Sequence, residues 1–207
     1  MRKIDLSDIK NIIDYEKIRQ SFRSKIIAMK DDRRLKVGDM ITLTFENRYT
    51  VVFQIEEMMR IERIVDEEKI KAEVDTYNEL IPNENELSAT LFVEVDEQDR
   101  IKPVLDSLVG LNRDSVYLQI DGKKIPAVFE EGHATDDRIS AVQYVRFKLT
   151  RDDVAAFEKP SIPIRVIIEH QNYKEEAILS EKMREAIRND VERGASANVW
   201  NQNDVSR

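Results

Sequence analysis

The sequence of 207 residues contains no cysteine, five glycines and five prolines. Without cysteine the chain itself offers no disulfide, no zinc–thiolate or iron–sulfur ligand and no thiol nucleophile. No apolar run approaches the roughly 20 residues of a membrane-spanning helix, and the first residues lack the apolar segment of a secretory signal. We therefore expect a cytoplasmic protein without membrane contact.

Several catalytic motifs are missing as well. The chain contains no G-x-G-x-x-G, G-x-x-x-x-G-K-[ST], G-x-S-x-G or H-E-x-x-H. Only two histidines occur, and His133 lies in a loop-like stretch where we expect it to be solvated. We predict no cofactor and no bound metal.

The net charge of −8 is distributed unevenly along the chain. Residues 1–38 have eleven Lys/Arg against six Asp/Glu, whereas residues 50–86 have four against eleven. A negative chain without a concentrated basic face argues against nucleic-acid binding. Two interpretations stay open: the two segments attract each other or face water, or basic residues form a docking strip for an acidic partner. The residues of this strip would be Arg19, Arg23, Lys30, Arg33 and Arg34.

Hydrophobic residues make up 41% of the chain and charged residues 36%, which suits a sizeable core under a charged surface. No repeat or flexible linker interrupts it, so we predict a single α+β domain over residues 1–193. Its helical part covers about 1–86, its sheet-rich part about 87–170, and a C-terminal helix about 180–193. The polar tail, 194–207, shows no period and is expected to be frayed.

Apolar residues recur at spacings of three and four in the first half, which predicts helices. The first helix is expected to run from about Tyr15 until the chain turns after Val37. A second helix is expected over Thr50–Val65, and a third ends at Pro82. A short strand, Met40–Phe45, separates the first two helices.

In the second half the period changes to two, which predicts strands. Alternating runs begin at Leu87, flank the hairpin pair Asp121-Gly122 and continue over 141–149 and 162–170. The predicted fold class is therefore α+β: a helical N-terminal half packed on a mostly antiparallel sheet, followed by a C-terminal helix.

Five polar residues occupy positions that this pattern predicts to be buried. They share a helix side or a strand side with apolar neighbours: Gln54, Glu57, Glu62, Gln143 and His170. On the second helix, Glu56, Arg60 and Arg63 are expected on the outward side instead. Because an unpaired buried polar group costs about 1–3 kcal/mol, each inward residue requires a partner.

Two interpretations of the inward residues stay open. In the first, the carboxylates pair with arginines such as Arg48 and Arg146 and hold the fold in register. In the second, they form the polar pocket of a small-molecule or metal-dependent enzyme, in which an arginine holds an anionic substrate. The residues of this candidate pocket are Arg48, Gln54, Glu57, Arg60, Glu62 and His170. The spacing does not favour metal, because Arg60 takes the histidine position of a Glu-x-x-His motif.

Several blocks, in order along the chain, carry a family resemblance. They are Phe45-Glu46-Asn47-Arg48, Thr50-Val51, Gln54-Ile55, Glu57-Met58, Tyr77-Asn78, Leu80-Ile81-Pro82, Ser140-Ala141-Val142, Arg146-Phe147 and His170-Gln171-Asn172-Tyr173. Over about residues 3–192 the chain resembles the uncharacterised bacterial family called domain of unknown function 3501. The resemblance implies genes that lie beside those for rubrerythrin-like proteins and an iron–sulfur oxidoreductase, and so a link to redox metabolism. It also implies histidine where this chain has Gln143 and proline where it has Gln171, and the first departure weakens a histidine-rich metal site.

Our leading hypothesis is an accessory or interaction protein of redox or oxidative-stress metabolism, with a partner from the rubrerythrin and iron–sulfur oxidoreductase system. The alternative is the enzyme with the carboxylate and histidine pocket. Trp200, in the tail, has three interpretations: a frayed end, a local docking contact, or an anchor for a partner.

Overall fold

A computed structural model describes residues 1–130, 138–193 and 199–200. The helices are α1 (Ile12–Asp31), α2 (Arg48–Glu62), α3 (Glu67–Tyr77), α4 (Ile101–Ser107), α5 (Arg151–Ala156) and α6 (Glu181–Arg193). The strands are β1 (Arg34–Val37), β2 (Ile41–Phe45), β3 (Glu86–Val93), β4 (Val116–Ile120), β5 (Lys123–Pro126), β6 (Val128–Phe129), β7 (Val142–Lys148), β8 (Ile164–His170) and β9 (Tyr173–Ile178). The predicted α+β class is confirmed.

The strands form two antiparallel sheets that pack face to face. The larger sheet has the order β1-β2-β3-β7-β6, and the smaller has the order β5-β4-β8-β9. Alternate residues of a strand point to the same side, so each sheet presents an apolar side to the other. Leu43 and Leu91 are paired on the larger sheet, Leu118 and Val166 on the smaller, and all four belong to one buried core.

The other side of the larger sheet is polar although it is buried. Thr42 and Thr44 lie on it with Glu46, Ser88 and Thr90, and all five residues are buried. Tyr144, which pairs with Thr90 on this side, packs against the helical core. Hydroxyl and carboxyl groups therefore line the sheet where it faces the helices, and they need partners there.

Helices α1 and α2 run antiparallel, since their contacts follow in reverse order: Glu16 with Arg60, and Arg19 with Glu57. The basic first segment thus lies on the acidic second one, as the first interpretation of the charge pattern expects. Arg19 is bound within the protein, and Arg33 is bound to Asp190. Two of the five residues of the basic strip are therefore bound within the protein, whereas Arg23 and Arg34 are exposed.

Two strands were not predicted from the sequence. The prediction that the first helix continues to Val37 is wrong: α1 ends at Asp31, and β1 follows because Leu35 and Val37 alternate with exposed Arg34 and Lys36. Strand β9 has three successive exposed residues, so its sequence does not alternate between apolar and polar residues. Its pairing with β8 defines it as a strand. The predicted loop with His133 and most of the tail lie outside the described residues.

Candidate functional site

The turn between β2 and α2, residues 45–50, joins the sandwich to the helices, and we call it the corner. Asn47 caps α2, since its side chain accepts from the Thr50 N–H at 3.0 Å, while the Thr50 hydroxyl accepts from the Asn47 N–H at 3.0 Å. Phe45, just before the cap, is buried in the sandwich core. This reciprocal cap fixes where the helix begins and which way its side chains point.

Glu46 is a buried carboxylate that neutral groups hold. The hydroxyl of Thr90 donates to its Oε1 at 2.6 Å, and the hydroxyl of Thr50 donates to its Oε2. The amide of Gln54 also donates to Oε2, at 3.2 Å. The burial of Glu46 was not predicted from the sequence, although this residue follows Thr42 and Thr44 in phase, and that alternation was the available signal.

Arg48 of the candidate pocket is buried and forms an ion pair with Asp8. Burial alone would raise the pKa of Asp8, but the hydrogen bond and charge of Arg48, with help from Arg2, lower it below its ordinary value. The pair ties the N-terminal segment to the start of α2. This is the arginine–carboxylate pairing of the first interpretation, with a carboxylate that the sequence did not single out.

Asp190 of α6 binds the other side of the corner. Its carboxylate accepts from Asn47 Nδ2 at 3.0 Å and from Arg33 Nη2 at 3.0 Å. Burial raises the pKa of Asp190, and the charge of Arg33 only partly opposes that rise. The corner therefore connects α6, α2 and the turn between α1 and β1 through one buried polar network.

A shallow cleft opens beside the corner. Its walls include the carboxylates of Glu46, Glu86 and Asp190. Two of these already have cationic partners, since Glu86 binds Arg146 at 2.5 Å and Asp190 binds Arg33. The cleft has room for about one water molecule, too little for an organic substrate. Among the described residues, no three His, Asp or Glu side chains could together hold a metal ion.

Glu57 is half-buried, and its carboxylate is bound within the helical layer. Arg19 donates to both of its oxygens at 2.8 Å, and the Tyr15 hydroxyl donates to Oε1 at 2.7 Å. The hydrogen bond from Arg19 lowers the pKa of Glu57, whereas burial and the Glu57 charge raise the pKa of Tyr15. Arg60, also a pocket candidate, binds Glu16 instead of a shared site.

The predicted orientations of Glu62 and Glu56 are wrong. Glu62 is exposed, because the last turn of α2 extends beyond the elements that cover the rest of the helix. Glu56 was expected outward but is 1% exposed. The N-terminal segment covers it, and its Oε1 accepts from the Lys10 N–H at 2.7 Å. The helical period of α2 describes that helix alone, so it could not show that the N-terminal segment covers Glu56.

His170 is buried, as its strand pattern predicts, but it lies in the smaller sheet, away from α2. Its Nδ1 accepts from the Asn172 N–H at 3.3 Å, so Nε2 carries the proton that it donates to the Val109 carbonyl at 3.0 Å. Asn172 donates to the carbonyl of Ser107 at 2.8 Å. This block fastens the end of α4 to the sheet. Gln143 is also buried, and its amide donates to the Ser140 carbonyl at 2.9 Å.

The six pocket candidates therefore do not come together. Gln54 and Arg48 belong to the corner, and Glu57 and Arg60 face α1. Their contacts are those of a scaffold, in which buried polar groups hold elements together.

One end of the helical layer exposes large apolar side chains. Ile13 near the start of α1 is 73% exposed, Ile61 in the last turn of α2 is 66% exposed, and Val65 in the turn after α2 is 78% exposed. The pair Glu16–Arg60 places the start of α1 beside the end of α2. We call these three residues the apolar tip. The sequence pattern missed this surface, because it had placed Ile61 and Val65 on a buried side.

Trp200 makes a local docking contact. Its Nε1 donates to the Asp8 carbonyl at 2.8 Å, its ring centroid lies 4.9 Å from that of Phe22, and the Lys10 ammonium lies 4.6 Å from the ring. Val199 is buried beside it. The expectation of a frayed tail is therefore wrong for residues 199–200.

The fold and these contacts define an α+β protein in which a two-sheet sandwich carries a helical layer on one side. A family model described as protein of unknown function (DUF3501) matches residues 3–191, and the chain belongs to this family, which confirms the resemblance. It is also similar to a novel protein of unknown function from Burkholderia pseudomallei K96243, known from a crystal structure at 1.90 Å. That match has a TM-score of 0.85 and 29% sequence identity and covers 92% of this chain and 100% of the other. No significant match is found among curated proteins.

These matches name no activity, no partner and no redox link. No helix among the described residues is long and apolar enough to cross a bilayer.

Proposed function

We propose that this protein acts by binding another macromolecule, and that the apolar tip is its docking surface. The supporting observation is the exposure of Ile13, Ile61 and Val65 at one end of the helical layer. Scattered exposed apolar residues are ordinary, but several at one place mark an interaction site more often. Binding there would remove these side chains from water.

The geometry of the tip favours recognition. Arg63 ends α2 in the left-handed conformation, and the Ile64 N–H donates to the Met59 carbonyl at 2.9 Å. Ile64 then packs into the helical core while its neighbours Arg63 and Val65 stay exposed. Because the backbone at the tip is already fixed by these contacts, binding costs little conformational entropy there, which favours affinity.

The family resemblance suggests where to look for the partner. It implies rubrerythrin-like proteins and an iron–sulfur oxidoreductase, so the proposal is an accessory protein of redox or oxidative-stress metabolism. The alternative of an enzyme with a carboxylate and histidine pocket gains no support, since the corner, the Glu57 pair and His170 each have internal partners.

The test is a cross-linking pull-down from cells grown with and without peroxide. The baits are the wild-type chain, the double variant Ile61→Ser/Val65→Ser and the control Ile178→Ser, which changes an exposed isoleucine on β9. Because the three altered side chains are exposed, the variants are expected to fold. We expect a partner that the wild type and the control recover and the tip variant loses. Equal recovery by all three baits would refute a docking role for the tip.

A further inference from the structure

We infer that the apolar tip binds a basic amphipathic helix of its partner, an inference that rests on the proposed function. The first observation is the charge around the tip. The exposed charged residues between Ile61 and Lys69 are four carboxylates, one arginine and one lysine. The carboxylates are those of Glu62, Asp66, Glu67 and Glu68.

The nearby basic residues do not neutralise this rim. Arg60 forms its ion pair with Glu16, and Lys17 forms one with Asp14 at 2.7 Å. Arg63 and Lys69 are the exposed cations of this segment, and they offset only two of the four carboxylates. The surface that surrounds the apolar side chains is therefore negative, and lysines or arginines on a partner would complement it.

The shape of the apolar part fits a helix. Ile61 belongs to the last turn of α2, Val65 to the turn that follows it, and Ile13 to the start of the neighbouring α1, so the exposed apolar side chains come from two adjacent helix ends. Helix-in-groove recognition uses apolar anchors at spacings of three and four residues, flanked by charges. A helix with an apolar stripe and basic flanks matches both features of the tip.

Two other occupants fit less well. A second copy of the chain would bring two negative rims together in a two-fold contact, and like charges in such an interface repel. A bilayer with anionic lipids would likewise repel a negative rim. Both occupants are outcomes of the experiment below.

The experiment measures binding of synthetic peptides about five helical turns long by calorimetry. The same protein variants are tested for self-association by analytical ultracentrifugation and for binding to vesicles of anionic lipid. One peptide has a leucine stripe with lysine flanks, the second has the same stripe with glutamate flanks, and the third is a scrambled lysine peptide without a stripe. The protein variants are Ile61→Ser/Val65→Ser, Glu62→Lys/Glu68→Lys and the controls Ile178→Ser and Glu185→Lys. Glu185 is an exposed carboxylate on α6, so its reversal gives the same kind of charge change away from the tip.

We expect the striped lysine peptide to bind the wild type and to bind each tip variant at least about tenfold more weakly, because anchors and rim charges both contribute. The controls should bind like the wild type. Added salt should weaken binding to the wild type and have less effect on Glu62→Lys/Glu68→Lys.

The opposite results separate the two proposals. Equal binding of the glutamate peptide would overturn the basic partner and leave the tip as a docking surface. Equal binding to tip variants and controls, or equal binding of the scrambled peptide, would show general attraction to a negative protein and overturn the inference. Self-association that the tip variant abolishes, or binding to anionic vesicles, would replace the helix with those occupants. If all three baits recover the same proteins in the pull-down while the lysine peptide binds at the tip, the proposed docking function is refuted. The preference of the tip for a basic amphipathic helix is then still supported.

Discussion

Glu56 has 1% of its surface exposed, on the side of α2 that the N-terminal segment covers. The pKa of its carboxyl is raised to about 7, chiefly by burial and to a lesser extent by the charge of Glu57, although the Lys10 N–H and the Lys10 charge oppose the rise. The unfolded chain ionises near 4.5. Protonated Glu56 therefore stabilises the fold below that pH, and this stabilisation is lost as the pH rises through about 7.

This linkage predicts the behaviour of Glu56→Gln. The amide keeps an oxygen for the Lys10 N–H and carries no charge, so the variant should unfold at higher denaturant than the wild type at pH 8. The gain should reach up to about 3 kcal/mol, from 1.36 kcal/mol per pKa unit. At pH 4.5 the difference should nearly vanish. Urea unfolding at both pH values measures it, with Glu62→Gln, an exposed carboxyl on the same helix, as the control. A difference that is the same at both pH values would contradict the buried-carboxyl account.

At the scale of elements, α6 is attached to the sandwich by a buried arginine. Arg184 donates to the carbonyls of Ala156, Lys159 and Ile162, at 3.1, 2.7 and 2.8 Å. These carbonyls belong to the end of α5 and the loop that follows it, where a cation is favourable. Met183 and Ile187 of the same helix enter the sandwich core. Helix α6 is thus held by its apolar stripe and by Arg184, which donates hydrogen bonds to the carbonyl groups left without partners at the end of α5.

Replacing Arg184 should therefore destabilise the fold. Arg184→Met keeps much of the buried stem but leaves several buried carbonyls without a donor, and we expect a loss of about 3 kcal/mol in the free energy of unfolding. Lys182→Met removes an exposed cation of the same helix, whose ion pair with Asp32 is screened by water, and should leave the free energy of unfolding nearly unchanged. Thermal and urea unfolding of both variants measure the difference. Similar values for the two would show that the carbonyl network contributes little.

At the scale of the whole molecule, the C-terminal segment returns to the helical layer. After α6, which packs on the sandwich, Val199 and Trp200 join the helical core beside Phe22. The two buried cores are thus connected at the corner, through Asp190, and again through this contact.

Trp200→Ala should lower the free energy of unfolding by about 2 kcal/mol, less than for a fully buried tryptophan because the ring is only partly covered. Trp200→Phe keeps an aromatic contact with Phe22 but loses the hydrogen bond to Asp8, so an intermediate loss is expected. Circular dichroism during urea unfolding gives both values. If neither variant lowers the free energy of unfolding, the contact of Trp200 with the helical core does not stabilise the fold.

The sequence predicted much of the fold because most elements carry a local period. The hairpin at Asp121-Gly122 and the strand at Leu87 follow from neighbours a few residues apart, and the structure has both. Strand β9 lacks a local period, and the alternation of β1 spans only four residues, so pairing with other strands defines both. Of the inward polar residues, Gln54, Glu57, Gln143 and His170 are at least partly buried, whereas Glu62 is exposed.

By itself the sequence determined the α+β class, the absence of thiol chemistry and the family, since composition, period and ordered blocks are properties of the chain alone. The tertiary structure decided which polar group meets which. Glu56 is covered by the N-terminal segment, Arg48 meets Asp8, and the end of α2 extends past its cover to expose the apolar tip. These contacts join residues far apart in sequence, and a helical wheel describes one helix without the segments that pack on it.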